Sequence, residues 1–121
     1  MQEEDVLAFV AATIKSVWSL EMLLFLRREA IRRWARDGLV RELRGSAVAV
    51  DEALASLRSA GLVAEDDQGR FGYAPASRQL ENYVADLEQL YRMKPVSVIR
   101  SIAASPNEKL RIFADAFRLK E

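Results

Sequence analysis

The residue types that most often carry catalysis are missing from this chain. It contains no histidine and no cysteine, which excludes Ser-His-Asp and Cys-His catalysis and metal sites built from those ligands. A catalytic site would therefore have to be built from carboxylates, lysines, serines or tyrosines.

The carboxylates and glycines do not fall into catalytic or binding patterns. The acidic clusters at residues 3–5 and 65–67 fit a helix start and a turn between strands, and neither has the alternating ligand spacing of a calcium loop. The five glycines are scattered, so no phosphate-binding loop is indicated. We predict a protein that is not an enzyme, with no catalytic residue, no cofactor and no bound metal.

Arginine is the residue type in this chain that is best suited to binding a partner, because its guanidinium group matches phosphates and carboxylates. Seven arginines lie close together before residue 45, namely Arg27, Arg28, Arg32, Arg33, Arg36, Arg41 and Arg44. Those at 28, 32 and 36 would share a face if this stretch is helical. Two interpretations stay open: a patch that contacts phosphates or an acidic partner, or a solvated face paired with neighbouring carboxylates such as Glu29.

Aromatic residues offer a further alternative. They could surround a small-molecule pocket, or they could belong to the core, as aromatic residues at helical spacing usually do. The residues concerned are Trp18, Phe25, Trp34, Phe71, Tyr73, Tyr83 and Tyr91.

The composition of the 121 residues fits one compact soluble domain over residues 1–121. The chain has 18 basic and 18 acidic side chains, so its formal net charge is zero, and half of its residues are hydrophobic. Residues 6–26 are apolar except for Lys15 and Glu21, whose charges lie inside the stretch and disfavour a membrane span. The acidic residues before this stretch are unlike the basic start of a signal peptide. We expect two buried helices broken near residues 16–19, no membrane contact and a cytoplasmic protein.

Start and stop signals divide the first part of the chain into short helices. A first helix is expected at about residues 5–16, and Ser19 can cap the second. Ser46 fits the N-cap of a later helix whose apolar residues follow the 3.6-residue period. Gly61 fits the left-handed residue that ends it.

A hairpin is expected directly after this helix. Leu62 and Val63 predict a short strand, residues 66–69 predict a turn, and residues 70–74 predict the returning strand. The resulting order is helix, helix, helix and hairpin.

The run LVRELRGSAVAVDEALASLRSAGLVAEDDQGRFGYAP at residues 39–75 resembles the winged-helix DNA-binding domain of bacterial regulators such as the MarR and ArsR families. In those families a recognition helix ends in an L..L...GL signature and a two-stranded wing follows. Here the signature consists of Leu54, Leu57, Gly61 and Leu62. The resemblance implies a mainly α fold with a winged helix-turn-helix core at about residues 19–75 and a small two-stranded β-wing. It also implies flanking helices at about residues 5–16 and 77–120.

The residues that would read DNA depart from the family pattern. The resemblance places the recognition helix at about residues 47–60, in the major groove. Its first half supplies the carboxylates of Asp51 and Glu52 and no side chain that commonly reads a base edge. Basic and acidic residues are equal in number between residues 19 and 75, whereas DNA-reading modules usually have a basic excess. We therefore expect poor sequence readout, with affinity supplied by arginines outside this helix.

The predicted contacts to nucleic acid or to an acidic partner extend from the second helix to the wing. They are Arg27, Arg28, Arg32, Arg33, Arg36, Arg41, Arg44, Ser46, Arg58 and Arg70.

The last third of the chain predicts three helices and a dimer contact. Ser77 can cap a helix that runs to about Lys94, and Pro95 can start the next. Ser105 and Glu108 form a capping box that opens the last helix. The first of these helices carries an apolar stripe at heptad-like spacing, which we predict as the contact of a homodimer. Its residues are Leu80, Tyr83, Val84, Leu87 and Tyr91.

Together these observations predict a non-catalytic winged-helix protein of transcriptional control with weak or unconventional DNA contact. The alternative is a winged-helix adaptor that binds another protein and no DNA. The family resemblance favours the first function, and the acidic recognition helix favours the second.

Overall fold

A computed structural model describes the backbone of residues 2–120 and the side chains of residues 2–117, so residues 1 and 121 of the predicted domain lie outside it. The described chain is mainly helical, with one small sheet. Its helices are α1 (Glu3–Thr13), α2 (Val17–Arg28), α3 (Arg36–Leu43), α4 (Ala47–Ser59), α5 (Arg78–Met93), α6 (Pro95–Ala103) and α7 (Pro106–Lys120).

The sheet has three antiparallel strands in the order β1-β3-β2. They are β1 (Trp34–Ala35), β2 (Val63–Glu65) and β3 (Arg70–Tyr73). The hairpin of β2 and β3 lies where the turn residues predicted it, and Gly69 adopts a positive φ of 74° in its turn. The prediction of a two-stranded sheet is wrong, because β1 pairs along the other edge of β3. With only two residues, β1 forms through this pairing and not through a local preference of its own.

One cluster of buried side chains includes residues from each of the first six helices and from the sheet. Helix α2 is apolar on most sides, and a helix of that kind has to lie centrally to bury its surface. Its buried apolar residues are Leu20, Met22, Leu23, Leu24 and Leu26. Trp34 of β1 joins the same cluster, so the short edge strand is attached to the core.

Most predicted helix caps are confirmed. The side chain of Ser46 accepts a hydrogen bond from the amide of Ala49, and that of Ser77 accepts one from Leu80. Gly61 has a φ of 76°, as expected of a residue that ends a helix in the left-handed region. The capping box before α7 is formed reciprocally: the Glu108 amide donates to Ser105 Oγ at 3.2 Å, and the Ser105 amide donates to Glu108 Oε1 at 3.3 Å.

The boundary between α1 and α2 differs from the prediction. Ser16 caps α2, accepting a hydrogen bond from the Ser19 amide at 3.0 Å, and Ser19 itself is buried within the helix. The two helices are bent by 109° at this break. Within the described residues no single helix is long and apolar enough to span a membrane, although this bent pair passes that test of length and composition when taken together.

The apolar stripe of α5 faces the inside of the chain. Val84 and Leu87 are fully buried, and Leu80, Tyr83 and Tyr91 pack against the core. Helices α1 and α6 pack on α5, so Val84 and Leu87 are covered within this chain, while Leu80, Tyr83 and Tyr91 stay partly exposed. The ring of Tyr83 stacks on Phe9 of α1 with ring centroids 4.9 Å apart.

Candidate nucleic-acid interface

Helix α4 presents an apolar and acidic surface at its start. Ala47, Asp51 and Glu52 are exposed, and Val48 has 65% of its surface exposed. The hydroxyl of Ser46, predicted as a contact, accepts the capping hydrogen bond from Ala49. As predicted, the start of this helix offers no cationic side chain to a phosphate.

Arg36 neutralises one of these carboxylates. It lies at the first position of α3, and its Nε and Nη2 donate to the two carboxylate oxygens of Asp51 at 2.5 and 2.9 Å. A third contact joins Nη1 to Asp37 at 3.2 Å. The hydrogen bond from Arg36 lowers the pKa of Asp51, and the same bond raises the pKa of Arg36. Arg36 is thus occupied within the chain, and the pair ties α3 to α4.

Arg58 and Arg70, both predicted contacts, are also paired. Arg58 at the end of α4 lies 3.1 Å from Glu65 of β2. Arg70 lies 3.5 Å from Asp66 and donates to Gln68 across the hairpin turn. Hydrogen bonds from the Arg70 and Gln68 amides lower the pKa of Asp66. The turn between β2 and β3 therefore carries little free positive charge.

Arg27 is a structural residue. Its side chain is only 25% exposed and reaches from α2 to two carboxylates of α5, Glu88 at 2.6 Å and Glu81 at 3.2 Å. Tyr73 of β3 donates its hydroxyl to the same Glu81 at 2.7 Å, and burial together with this bond raises the pKa of Tyr73. These four side chains, here called the Arg27 network, join α2, α5 and the sheet. In this arrangement the Arg27 guanidinium, predicted as a partner contact, is bound to carboxylates of the same chain.

Five of the predicted arginines are exposed and form no ion pair with any residue that the structure describes. They are Arg28, Arg32, Arg33, Arg41 and Arg44. Arg41 lies on α3, and the other four lie at the two ends of α2. Arg44 lines a cleft with Val17 and Trp18 at the start of α2, whereas Arg28 ends that helix, about 17 Å away along its axis.

The larger group lies on the connection between α2 and β1. We call residues 28–33 the arginine turn, because the Arg32 amide donates to the Glu29 carbonyl at 2.9 Å and closes a turn there. Because α2 ends at Arg28, the stretch is not one helix, and the residues at 28, 32 and 36 do not share a helical face. The guanidinium of Arg32 lies over the Trp34 ring, 3.9 Å from its centroid.

Arg33, the last residue of the turn, lies against strand β3. A Cβ atom added to Gly72 of β3 would lie 2.5 Å from Arg33 Nη1. The glycine thus leaves the space that the arginine side chain occupies. Both arginines at the end of the turn are held by the sheet while their charges stay exposed.

The sequence patterns did not single out Ile31. It lies at the tip of the arginine turn with a relative exposure of 102%. The signal in the sequence is an apolar pair, Ala30 and Ile31, flanked by the charged residues Glu29 and Arg32.

The aromatic residues do not gather around one cavity. Trp34 is buried and packs on Phe25 with ring centroids 5.1 Å apart, and the other aromatics of the predicted pocket pack against the core. A cavity of about 230 Å³ between α1, α5 and α7 has Phe9 and Tyr83 in its wall, but Trp18 lines a different cleft. The arginine turn is therefore the clearest candidate site in the described chain.

Comparisons of the chain with family models, with curated proteins and with solved structures give no match.

Proposed function

We propose that this chain is a non-catalytic winged-helix protein of transcriptional control that contacts DNA through the arginine turn and not through base readout by α4. The winged-helix assignment is supported by the element order α2-β1-α3-α4-β2-β3 and by the position of β3 between the other two strands. It is also supported by the family resemblance of residues 39–75 and by the left-handed Gly61 between α4 and β2.

The distribution of free charge is the observation that carries the proposed DNA contact. Arg28, Arg32 and Arg33 are exposed and form no ion pair within the described chain, although Arg33 interacts electrostatically with Asp66. Arg36, Arg58 and Arg70 are held by carboxylates. Free guanidinium groups can replace the counterions of phosphates, which supplies sequence-independent affinity. Glu29 lies in the same turn and reduces its net charge to two positive units.

We keep the homodimer as part of this proposal, on a different surface from the one predicted. The centre of the α5 stripe, Val84 and Leu87, is buried. Helices α6 and α7 carry exposed apolar side chains, which are Val96, Ile99, Leu110 and Phe117. Exposed apolar surface of this kind often marks a contact between chains.

Replacing Arg28, Arg32 and Arg33 together with alanine is expected to weaken DNA binding for all sequences alike. The slope of log affinity against log salt should become shallower by about one unit for each phosphate that the variant no longer neutralises. The measurement is a fluorescence anisotropy titration of mixed-sequence duplexes at several salt concentrations.

A triple variant with the same change in net charge serves as the control. It replaces Arg92, Arg100 and Arg111, which are exposed on α5, α6 and α7, and should bind close to the wild-type affinity. If both triple variants lose the same affinity, binding follows net charge and has no defined site. If the arginine-turn variant binds like the wild type, the turn is a solvated face and the proposed DNA contact is wrong.

A specific observation favours the adaptor as a second function. The exposed start of α4 combines Val48 with Asp51 and Glu52, which suits an apolar and basic protein surface better than a DNA groove.

The change Asp51→Asn separates the two functions. It removes a negative charge from α4 and releases Arg36 from its two hydrogen bonds to Asp51, leaving only the contact with Asp37. DNA affinity should therefore rise, and the salt slope should steepen by about one unit. Glu52→Gln is the matched control, because it removes the same charge without freeing an arginine. If Asp51→Asn gains nothing over Glu52→Gln, α4 and Arg36 do not lie near DNA, and the adaptor becomes the better proposal.

A further inference from the structure

The tip of the arginine turn carries two exposed apolar side chains. Ala30 and Ile31 occupy the central positions of the turn that the Glu29 carbonyl and the Arg32 amide close. Both are exposed, and Ile31 contributes no buried surface to the fold. A large apolar side chain therefore projects from the molecule at one defined point.

Folding gives no reason for isoleucine at this position. Turns favour glycine, proline, asparagine, aspartate and serine, because those residues suit turn backbones or form local hydrogen bonds. The core of α2 is completed by residues that precede the turn, such as Leu23 and Leu26. Burying an isoleucine side chain is favourable only when a partner covers it, and within the described chain nothing covers Ile31.

The turn is attached firmly enough to hold Ile31 in place. Arg32 stacks on Trp34, which is only 7% exposed and packs on Phe25 in the core. Arg33 lies against Gly72 in the middle strand of the sheet. The Glu29 amide donates to the Phe25 carbonyl at 3.0 Å and continues the hydrogen bonding of α2 into the turn.

The charges around Ile31 identify the chemistry of its partner. Arg28, Arg32 and Arg33 lie in the same turn as Ile31, the turn's own carboxylate is Glu29, and Asp66 of the hairpin interacts with Arg33. The turn keeps a positive excess, so the partner surface should be anionic. The in-plane N–H groups of a guanidinium stacked on an aromatic ring can still donate to a phosphate. An apolar side chain flanked by arginines is the combination with which some proteins unstack base pairs from the minor groove.

We propose that the arginine turn inserts Ile31 between neighbouring base pairs of duplex DNA from the minor groove, with Arg28, Arg32 and Arg33 on the flanking phosphates. This inference depends on the proposed function and adds to it the mode of contact. The wedge unstacks one base step and kinks the duplex by about 20–90°. A lipid surface fits less well, because stable membrane attachment needs more apolar area than one side chain provides.

The test compares DNA bending with DNA affinity for the full chain. A short mixed-sequence duplex carries a fluorescent donor and acceptor at its two ends, so a kink raises energy transfer, and anisotropy reports binding. We expect the wild type to bend the duplex. Ile31→Ala should bind roughly tenfold more weakly, as the loss of one buried apolar side chain implies, and should not bend the duplex at saturation. Val48→Ala, at the other prominently exposed aliphatic residue near the candidate interface, should leave bending unchanged.

The outcomes separate this inference from the proposed function. If binding depends on the three arginines but Ile31→Ala bends DNA like the wild type, the wedge is refuted and the DNA contact stands. The same conclusion follows if the wild type binds without bending. If neither the wild type nor any variant binds the duplex, both proposals fail. Vesicles of phosphatidylcholine and phosphatidylserine provide a last arm, and Ile31-dependent binding to them without DNA bending would overturn the wedge in favour of a lipid contact.

Discussion

Replacing Trp34 with alanine is expected to lower the free energy of unfolding by about 3–5 kcal/mol, as truncation of a buried aromatic residue usually does. The indole ring is 7% exposed, packs on Phe25 and forms the platform for Arg32. Its loss would leave a cavity beside α2 and would release the arginine turn from the sheet. Urea unfolding followed by circular dichroism measures the change.

The matched control is Trp34→Phe. The indole Nε1 is buried and has no hydrogen-bond partner among the described residues, so phenylalanine keeps a ring in the core and removes an unsatisfied polar atom. The cost should stay below about 1.5 kcal/mol. If phenylalanine destabilises the protein as much as alanine does, the indole N–H is paired in solution. If alanine is tolerated, β1 is not part of the core.

Elements with strong local signals could be predicted from the sequence. The caps at Ser46 and Ser77 and the capping box of Ser105 and Glu108 lie within three residues of the amides that they satisfy. The left-handed Gly61 is likewise a local requirement. Strand β1 could not be predicted in this way, because two residues carry no period and their extended conformation is stabilised by pairing with β3. Ser16 and Ser19 are both acceptable caps, and the sequence does not say which of them begins α2.

The sequence could predict which residue types form the candidate site, but it could not predict which carboxylate each arginine pairs with. The arginines before residue 45 stand out in the sequence as its main cationic cluster, but the ion pair of Arg27 with Glu88 spans 61 positions in the chain. No local pattern shows such a contact, and the same limit applies to Arg36 with Asp51. The stripe on α5 shows the converse: an amphipathic period predicts that Val84 and Leu87 are covered, but it does not identify whether a second chain or the same chain covers them.

The Arg27 network should contribute strongly to stability and nothing directly to DNA binding. Arg27→Met removes one partner of a largely buried ion pair and leaves Glu88, only 12% exposed, without its cation. We expect a loss of about 2–3 kcal/mol, below the full cost of breaking a buried pair because Arg27 is 25% exposed. The DNA affinity of the folded variant should equal that of the wild type. Arg28→Met, one residue along, should show the reverse: an unchanged unfolding midpoint and weaker binding.

The pH dependence of stability gives an independent check on the same network. Burial raises the pKa of Glu81, but hydrogen bonds from Tyr73 and Arg27 outweigh that effect and lower it. A carboxyl whose pKa is lower in the folded state stabilises the protein above its unfolded pKa, and this contribution is lost as pH falls through the folded pKa. The free energy of unfolding of the wild type should therefore exceed that of Arg27→Met by a constant amount near neutral pH. This difference should become smaller as the pH falls into the acidic range.

A double-mutant cycle tests whether the pair itself causes the loss of stability. Glu88→Leu alone should destabilise the protein, because Arg27 then keeps a partly buried charge with only Glu81 beside it. The double variant Arg27→Met with Glu88→Leu should recover most of the stability, since apolar side chains of similar size can replace a buried ion pair at little cost. If the two losses simply add, the side chains stabilise the fold through separate contacts and the link between α2 and α5 is not electrostatic.

If Arg27→Met also weakens DNA binding by the folded protein, Arg27 must leave Glu88 to reach the phosphates, and the sequence-based prediction of Arg27 as a contact residue would be correct.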